Sequence, residues 1–172
     1  MPRRPISLDH IPPKDHEGIG LVANAWAHLE GAVERIVWRL ARLNDNKGAA
    51  ITTHMGIKSR LDAACTLVNL EFPNSPQAKR LMSLHGYILG EEMYGTRNEI
   101  LHSRTLHIGI FGPQTIRPIT KARRRLKKQA KPVIPTEYQE AADRFLATAT
   151  EVREILSALL SMINQQDSAP PP

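Results

Sequence analysis

The sequence predicts an all-α protein: a four- to five-helix bundle with a small β-hairpin insertion before the last helix. Apolar residues recur every three or four positions over long segments, which predicts the helices. Two short segments of alternating apolar residues flank the turn-forming letters "GPQ", which predicts the hairpin. At 172 residues the chain has the length of one domain.

That single domain is expected to span residues 17–166. Residues 1–16 are predicted to form an N-terminal arm, and the polar, proline-rich residues 167–172 a disordered tail. No run approaches the about 18 apolar residues of a membrane span, and the single cysteine, Cys65, lies in the apolar run "LDAACTLV". We therefore expect a cytoplasmic protein with no membrane contact, in which Cys65 is buried and is not a nucleophile.

Two long helices are predicted in the first half of the chain. The first covers Leu21 to Leu43 and carries one apolar stripe. The second covers about Ala49 to Leu70 and ends near the helix-breaking letters "FPNSP".

A third helical segment begins after this breaker. Ser75 is expected to cap it, with Pro76 at its first helical position, as helix starts prefer. The helical pattern continues to about Ser103, but the glycines between positions 86 and 95 weaken it and are expected to divide it into two helices.

The hairpin and a basic loop are predicted at about residues 104–134. The strands are the segments "TLHIGIFG" and "QTIRPIT", and the basic letters and "KPVIP" that follow are assigned to a loop. The letters "TEYQ" match a capping box with Thr136 as the cap, so the last helix is expected to run from there to about Ile163.

Positive charge is concentrated in that loop. The net charge is +6, and the string "KARRRLKKQAK" holds seven of the 23 Lys and Arg residues and no acid. Such a segment suits a phosphate backbone. A solvated loop, a membrane-surface contact and a localisation signal, taken together, account for the charge alone equally well. The residues assigned to RNA binding are Lys121, Arg123, Arg124, Arg125, Lys127 and Lys128.

One short motif in the chain has the composition of a catalytic site. The letters "RNEILH" place Arg97, Asn98 and His102 on one helical segment. Histidine can accept and donate a proton near neutral pH, and the arginine fork can hold two phosphate oxygens. Asn98 lies four residues before His102 and shares its helix face, so its amide could orient the imidazole or a phosphate. Arg97 is about 140° away from His102 around the helix, so both can address one phosphate only if the helix ends lie in a cleft or the arginine side chain wraps back.

With two long helices before it and a final helix after it, this motif resembles the HEPN family of nucleotide-binding and ribonuclease domains. The layout agrees from Leu21 to Ile163, and "RNEILH" is the part that matches residue by residue. The resemblance implies an endoribonuclease that needs no metal or other cofactor. In this chemistry the ribose 2′-hydroxyl attacks the adjacent phosphate, Arg97 and His102 are catalytic, and Asn98 supports them. It further implies a homodimer in which the two motif-bearing helices pair across a two-fold axis and form a composite cleft.

Several alternatives remain open. The letters "RLMSLHGY" place Arg80 and His85 at the same spacing, followed by Tyr87 as in some toxin members of the family, but Asn98 and the position before the last helix favour Arg97 and His102. His107 is an in-chain alternative for a second histidine.

The protein could also be a non-catalytic RNA- or nucleotide-binding or protein-interaction module, or an unrelated helical scaffold. A toxin, defence or processing role and an inhibitory protein partner are compatible with the resemblance, and the sequence indicates no metal site.

Overall fold

The computed structural model describes residues 12–102, 106–108, 114–121, 127–132 and 134–168. Six α-helices, one π-helical turn and three short β-strands lie in these ranges. The helices form the bundle, so the all-α class is confirmed, but the predicted helix count of four to five is too low. In chain order the elements are α1 (Pro13–Leu40), α2 (Asp45–Thr52), α3 (Ile57–Glu71), α4 (Pro76–Ile88), the π-helical turn (Glu91–Gly95), α5 (Thr96–His102), β1 (Leu106–Ile108), β2 (Gln114–Lys121), β3 (Lys127–Pro132) and α6 (Pro135–Asp167).

The core lies mainly between α1 and α6, which share the most extensive interface in the bundle. α3 packs on α1, α4 packs on α3 and α6, and α5 packs on α1. Each fully buried Leu, Ile or Phe side chain stabilises the fold by about 1.5–3 kcal/mol. The fully buried side chains from α1 and α6 include Val22, Leu29, Val33, Ile36, Phe145, Val152, Ile155 and Leu159.

The helix boundaries differ from the predicted ones at two places in the first half. α1 begins at Pro13, eight residues before the predicted start, because a proline fits the first turn of a helix. The predicted helix from Ala49 to Leu70 is two helices, α2 and α3. Gly56 separates them in an extended conformation at the N-terminus of α3, a position where no intrahelical bond is lost.

The start of α4 agrees with the sequence prediction. The Ser75 side chain accepts a hydrogen bond from the Ala78 backbone N–H at 3.1 Å, and Pro76 is the first helical residue. The predicted division of this segment is also confirmed, since α4 ends at Ile88 and the π-helical turn separates it from α5.

The capping box predicted at the start of α6 is wrong. The helix begins at Pro135 with Ile134 at the capping position, and no side chain caps it. Because Pro135 occupies the first helical position, Thr136 lies inside the helix and cannot serve as the cap.

α2 is held against α1 by polar contacts and one aromatic ring. Trp38 of α1 lies so close to Gly48 that a Cβ atom there would overlap the indole, and the indole Nε1 donates to Thr52 Oγ1 at 3.1 Å. Asn44 caps α2 by accepting from the Lys47 backbone N–H at 2.9 Å. The buried residues of α2 are Gly48 and Thr52, so this helix adds no apolar side chain to the core.

A three-stranded antiparallel sheet, ordered β1-β2-β3, lies between α5 and α6 in the chain. Leu106 of β1 pairs with Ile116 of β2, and Ile116 pairs in turn with Pro132 of β3. The prediction of a two-stranded hairpin followed by a basic loop is therefore wrong in that form. Lys, Gln and Ala have little β propensity, so the sequence of β3 carries no strand signal, and pairing with β2 determines its conformation.

None of the helices in the part of the chain that the structure describes combines the length and the apolar character needed to cross a bilayer.

Candidate functional site

Arg97 and His102 lie at the two ends of α5 and contact each other. Nη1 of Arg97 is 2.7 Å from Nε2 of His102 and donates to Oδ1 of the neighbouring Asn98 at 2.8 Å. The long arginine side chain therefore spans the angular separation that a helical wheel gives these two positions. His102 is exposed, Arg97 and Asn98 are partly buried, and the buried Ile100 anchors α5 in the core.

The Arg97–His102 contact fits one tautomer of the imidazole. A guanidinium nitrogen can only donate, so a hydrogen bond between these atoms requires Nε2 of His102 as the acceptor and the proton on Nδ1. The unprotonated Nε2 is the atom that a general base uses. Asn98 was expected to orient either His102 or a phosphate, but in the structure its amide oxygen accepts from Arg97, so it orients the arginine.

The guanidinium of Arg97 also lies over an aromatic ring. Its central carbon is 5.8 Å from the centroid of the Trp26 ring, a cation–π distance. Nε of Arg97 is buried and has no acceptor among the described residues, so the ring face provides part of the favourable environment that a hydrogen bond would otherwise supply. Trp26 is only 3% exposed and packs edge-on against Phe145 in the core, with 5.0 Å between the ring centroids. Arg97 thus rests on a rigid support.

A polar network continues from Trp26 away from the site. Its indole Nε1 donates to Glu30 Oε1 at 2.8 Å. Arg60 of α3 pairs with Glu30 at 3.6 Å and with Glu34 at 3.1 Å, and its Nη2 donates to the Thr52 carbonyl oxygen at 3.1 Å. Direct contacts therefore join Arg60, Glu30, Trp26, Arg97 and His102 in one connected set.

Sequence reasoning missed this network. Its signal was the spacing of Trp26, Glu30 and Glu34, which are four residues apart and so share one face of α1. The contribution of Arg60 could not be seen, because it comes from another helix.

The competing pair, Arg80 and His85, is occupied elsewhere. Arg80 pairs with Glu151 at 3.3 Å and Glu154 at 3.5 Å on α6. His85 Nε2 lies 2.7 Å from Asp62 Oδ1 on α3. These partners lie on different helices, so each side chain links α4 to a neighbouring helix.

The pKa of the Asp62 carboxyl is lowered by hydrogen bonds, first from Lys58 and then from His85. The carboxylate form of Asp62 is therefore favoured, and it holds His85 on α3. This arrangement suits a structural link between α3 and α4.

The predicted RNA-binding residues divide between the sheet and a part of the chain outside the described residues. Lys121 ends β2, and Lys127 and Lys128 begin β3. Lys121 pairs in register with Lys127, and Thr120 pairs with Lys128, so the backbone brings these basic positions together. Arg123, Arg124 and Arg125 lie outside the described residues. His107, the alternative second histidine, is on β1 opposite Thr115.

The remaining candidate side chain is Cys65. It is partly buried on α3, and burial, followed by the negative charge of Asp62, raises the pKa of its thiol to about 11. A thiol that stays protonated is a poor nucleophile. Over the described ranges, no group of three or more His, Cys, Asp or Glu side chains is arranged to hold a metal ion.

Comparisons of this chain with protein-family models, with curated proteins and with solved structures found no match.

Proposed function

We propose that this protein is a HEPN-type endoribonuclease that cleaves RNA without a metal ion, with Arg97 and His102 as its catalytic residues. The observation that carries the proposal is the 2.7 Å contact between Arg97 Nη1 and His102 Nε2. It brings a fixed cation and an unprotonated imidazole nitrogen to one exposed point. A phosphodiester bound at that point would contact a cationic hydrogen-bond donor, Arg97, and a proton acceptor, His102, at the same time.

The proposed reaction begins when the phosphate accepts hydrogen bonds from Arg97 in place of His102. His102 Nε2 then takes the proton of the 2′-hydroxyl, and the 2′-oxygen forms a bond to phosphorus. The bond from phosphorus to the 5′-oxygen breaks, and the 5′-oxygen takes up a proton from the protonated His102 of the second copy in the proposed dimer. The products are a 2′,3′-cyclic phosphate and a 5′-hydroxyl. Arg97 stabilises the charge that grows on the phosphate oxygens, and Asn98 and Trp26 hold Arg97 in place.

A dimer would supply the second proton-transfer group. One chain offers a single histidine in the motif, whereas a symmetric pair of α5 helices would offer two. The exposure of His102 supports this part of the proposal, because an exposed imidazole can reach a site shared with a second copy. We expect a dimer by light scattering at micromolar concentration, and a fully active monomer would remove the composite site.

A binding-only module is the second candidate function. The observation that favours it is that Arg97 Nη1 already donates to both Asn98 and His102 in the structure. If RNA does not displace His102 from this contact, the motif could bind a phosphate through Arg97 while Nε2 takes no proton. The two candidates differ in turnover and not in affinity.

The test is RNA cleavage by the purified protein in the presence of EDTA, with detection of the cyclic phosphate. Arg97→Ala and His102→Ala should each lower cleavage by about 100- to 1,000-fold, since each removes an interaction with the transition state. His102→Ala should leave the melting temperature nearly unchanged because its side chain is exposed, and Arg97→Ala, which also loses its contacts with Asn98 and Trp26, should lower it by only a few degrees.

Arg80→Ala and His85→Ala are the matched controls, because they have the same spacing but are bound to Glu151, Glu154 and Asp62. If cleavage is lost in the Arg80 and His85 variants and kept in the Arg97 and His102 variants, the assignment of the catalytic motif is wrong. RNA binding without any cleavage would establish the binding-only function.

A further inference from the structure

Two aromatic side chains of the described residues have large exposed fractions. Tyr94 is 39% exposed and Tyr87 is 38% exposed, whereas Trp26, Phe72, Phe145 and Tyr138 are each at most 5% exposed. An exposed aromatic ring offers a flat apolar surface to a partner.

Tyr94 lies beside the proposed catalytic pair. It belongs to the π-helical turn that leads into α5, three residues before Arg97. The centroid of its ring is 6.2 Å from that of Trp26, and Arg97 lies over Trp26 at 5.8 Å. Tyr94 and Arg97 therefore contact the same indole.

The buried anchor of the π-helical turn is the residue before Tyr94, and the ring of Tyr94 itself is partly exposed. Met93, the preceding residue of the π-helical turn, is fully buried and anchors the turn. π-helical turns insert one residue into a helix and are frequent at functional sites. Here the turn leaves Tyr94 exposed three residues before Arg97.

We infer that Tyr94 is the stacking surface for a nucleobase next to the phosphate held by Arg97 and His102. This inference rests on the proposed function, and it identifies the ligand as single-stranded RNA, whose unpaired bases can stack on tyrosine. Arg97 would bind the charged backbone while Tyr94 binds the apolar face of a base. Stacking tolerates any base, so Tyr94 should contribute affinity and placement with modest sequence preference.

Binding, not cleavage, is the primary test. The probe is a short fluorescein-labelled oligomer of 2′-O-methyladenosine, which cannot supply the attacking hydroxyl, and the comparison probe is an abasic oligomer of the same length. Tyr94→Leu and Tyr94→Ala should weaken binding of the first probe by about 5- to 150-fold, the effect of losing one base–aromatic stack. Neither should change binding of the abasic probe. Tyr94→Phe should bind both probes as the natural chain does.

Tyr87→Ala is the matched control, since it removes a ring of the same type and nearly the same exposure. If Tyr94→Leu binds the adenosine oligomer as tightly as Tyr87→Ala does, the inference is wrong. Equal losses on the base-bearing and abasic probes, or a changed oligomeric state in Tyr94→Leu, would also overturn it. Failure of the natural chain to bind either probe would overturn it as well.

The two proposals can fail separately. Stacking that depends on Tyr94 in a chain that cleaves no RNA would refute the nuclease and keep the base-binding surface. RNA cleavage and oligomer binding that are both unchanged by Tyr94→Leu would support the nuclease and refute the base-binding surface.

Discussion

Replacing Arg60 with methionine should destabilise the fold strongly. Methionine keeps most of the aliphatic stem but removes the charge that neutralises Glu30 and Glu34. It also removes the hydrogen bond to the Thr52 carbonyl oxygen. The two carboxylates would then be left without their cation in a partly buried site.

The structure provides the scale of this effect. The exposed fraction of the side chain is 12% for Arg60, 29% for Glu30 and 18% for Glu34. Removal of one partner from a fully buried ion pair costs about 3–5 kcal/mol, and partial exposure of the carboxylates reduces this to about 2–3 kcal/mol. Loss of the hydrogen bond adds about 1 kcal/mol. We therefore expect the free energy of unfolding to fall by about 3–4 kcal/mol.

Arg80→Met is the matched comparison. Arg80 also pairs with two carboxylates, Glu151 and Glu154, but its side chain is 47% exposed and those of its partners are 42% and 62% exposed. Solvent screens such pairs, so the loss should be below about 1 kcal/mol.

Urea denaturation followed by circular dichroism measures both variants. Equal losses for Arg60→Met and Arg80→Met would refute the argument from burial. A second check is Glu34→Gln, which should cost less in the Arg60→Met background than alone, because it then removes an uncompensated charge.

Two further predictions concern Cys65 and the basic segment. Because the pKa of the Cys65 thiol is about 11 against an ordinary 9.0, alkylation by iodoacetamide should be slow in the folded chain at pH 8 and should accelerate up to about pH 11, whereas in urea it should level off near pH 9. The raised pKa also means that the contribution of the protonated Cys65 thiol to stability is fully present below about pH 9 and is lost as the pH rises towards 11. Alkylation that levels off near pH 9 in the folded chain would contradict the burial of the thiol. Replacing Arg123, Arg124, Arg125, Lys127 and Lys128 with Gln should weaken RNA binding for all sequences and flatten its salt dependence by up to about 0.7 for each phosphate that is no longer neutralised. Turnover at saturating RNA should survive this change, and an unchanged salt slope would point to an acidic protein partner instead.

The sequence predicted the parts of the fold that depend on local signals. The Ser75 cap and Pro76 located the start of α4, and the apolar stripe located α1 and α6. β3 could not be predicted in this way, because its residues favour no strand by themselves and its conformation depends on pairing with β2.

The candidate site shows the same limit. The motif named Arg97, Asn98 and His102, but angular positions on a helix left open how Arg97 and His102 reach one point. The arginine side chain is long enough to wrap back to His102, and only the structure shows that it does so. Trp26 and Arg60 were missed, because residues distant in sequence meet through the packing of α1 with α5 and α3.

The attachment of α2 has a consequence for local unfolding. Since α2 buries Gly48 and Thr52 and no apolar side chain of its own, it can open at the cost of exposing the Trp38 indole, while the rest of the core stays covered. Opening would withdraw the Thr52 carbonyl oxygen from Arg60 and the Thr52 hydroxyl from Trp38. Fluctuations of this short helix would thus reach the network that supports Arg97. A continuous chain of contacts that begins at Thr52 therefore connects α2 to the proposed catalytic arginine.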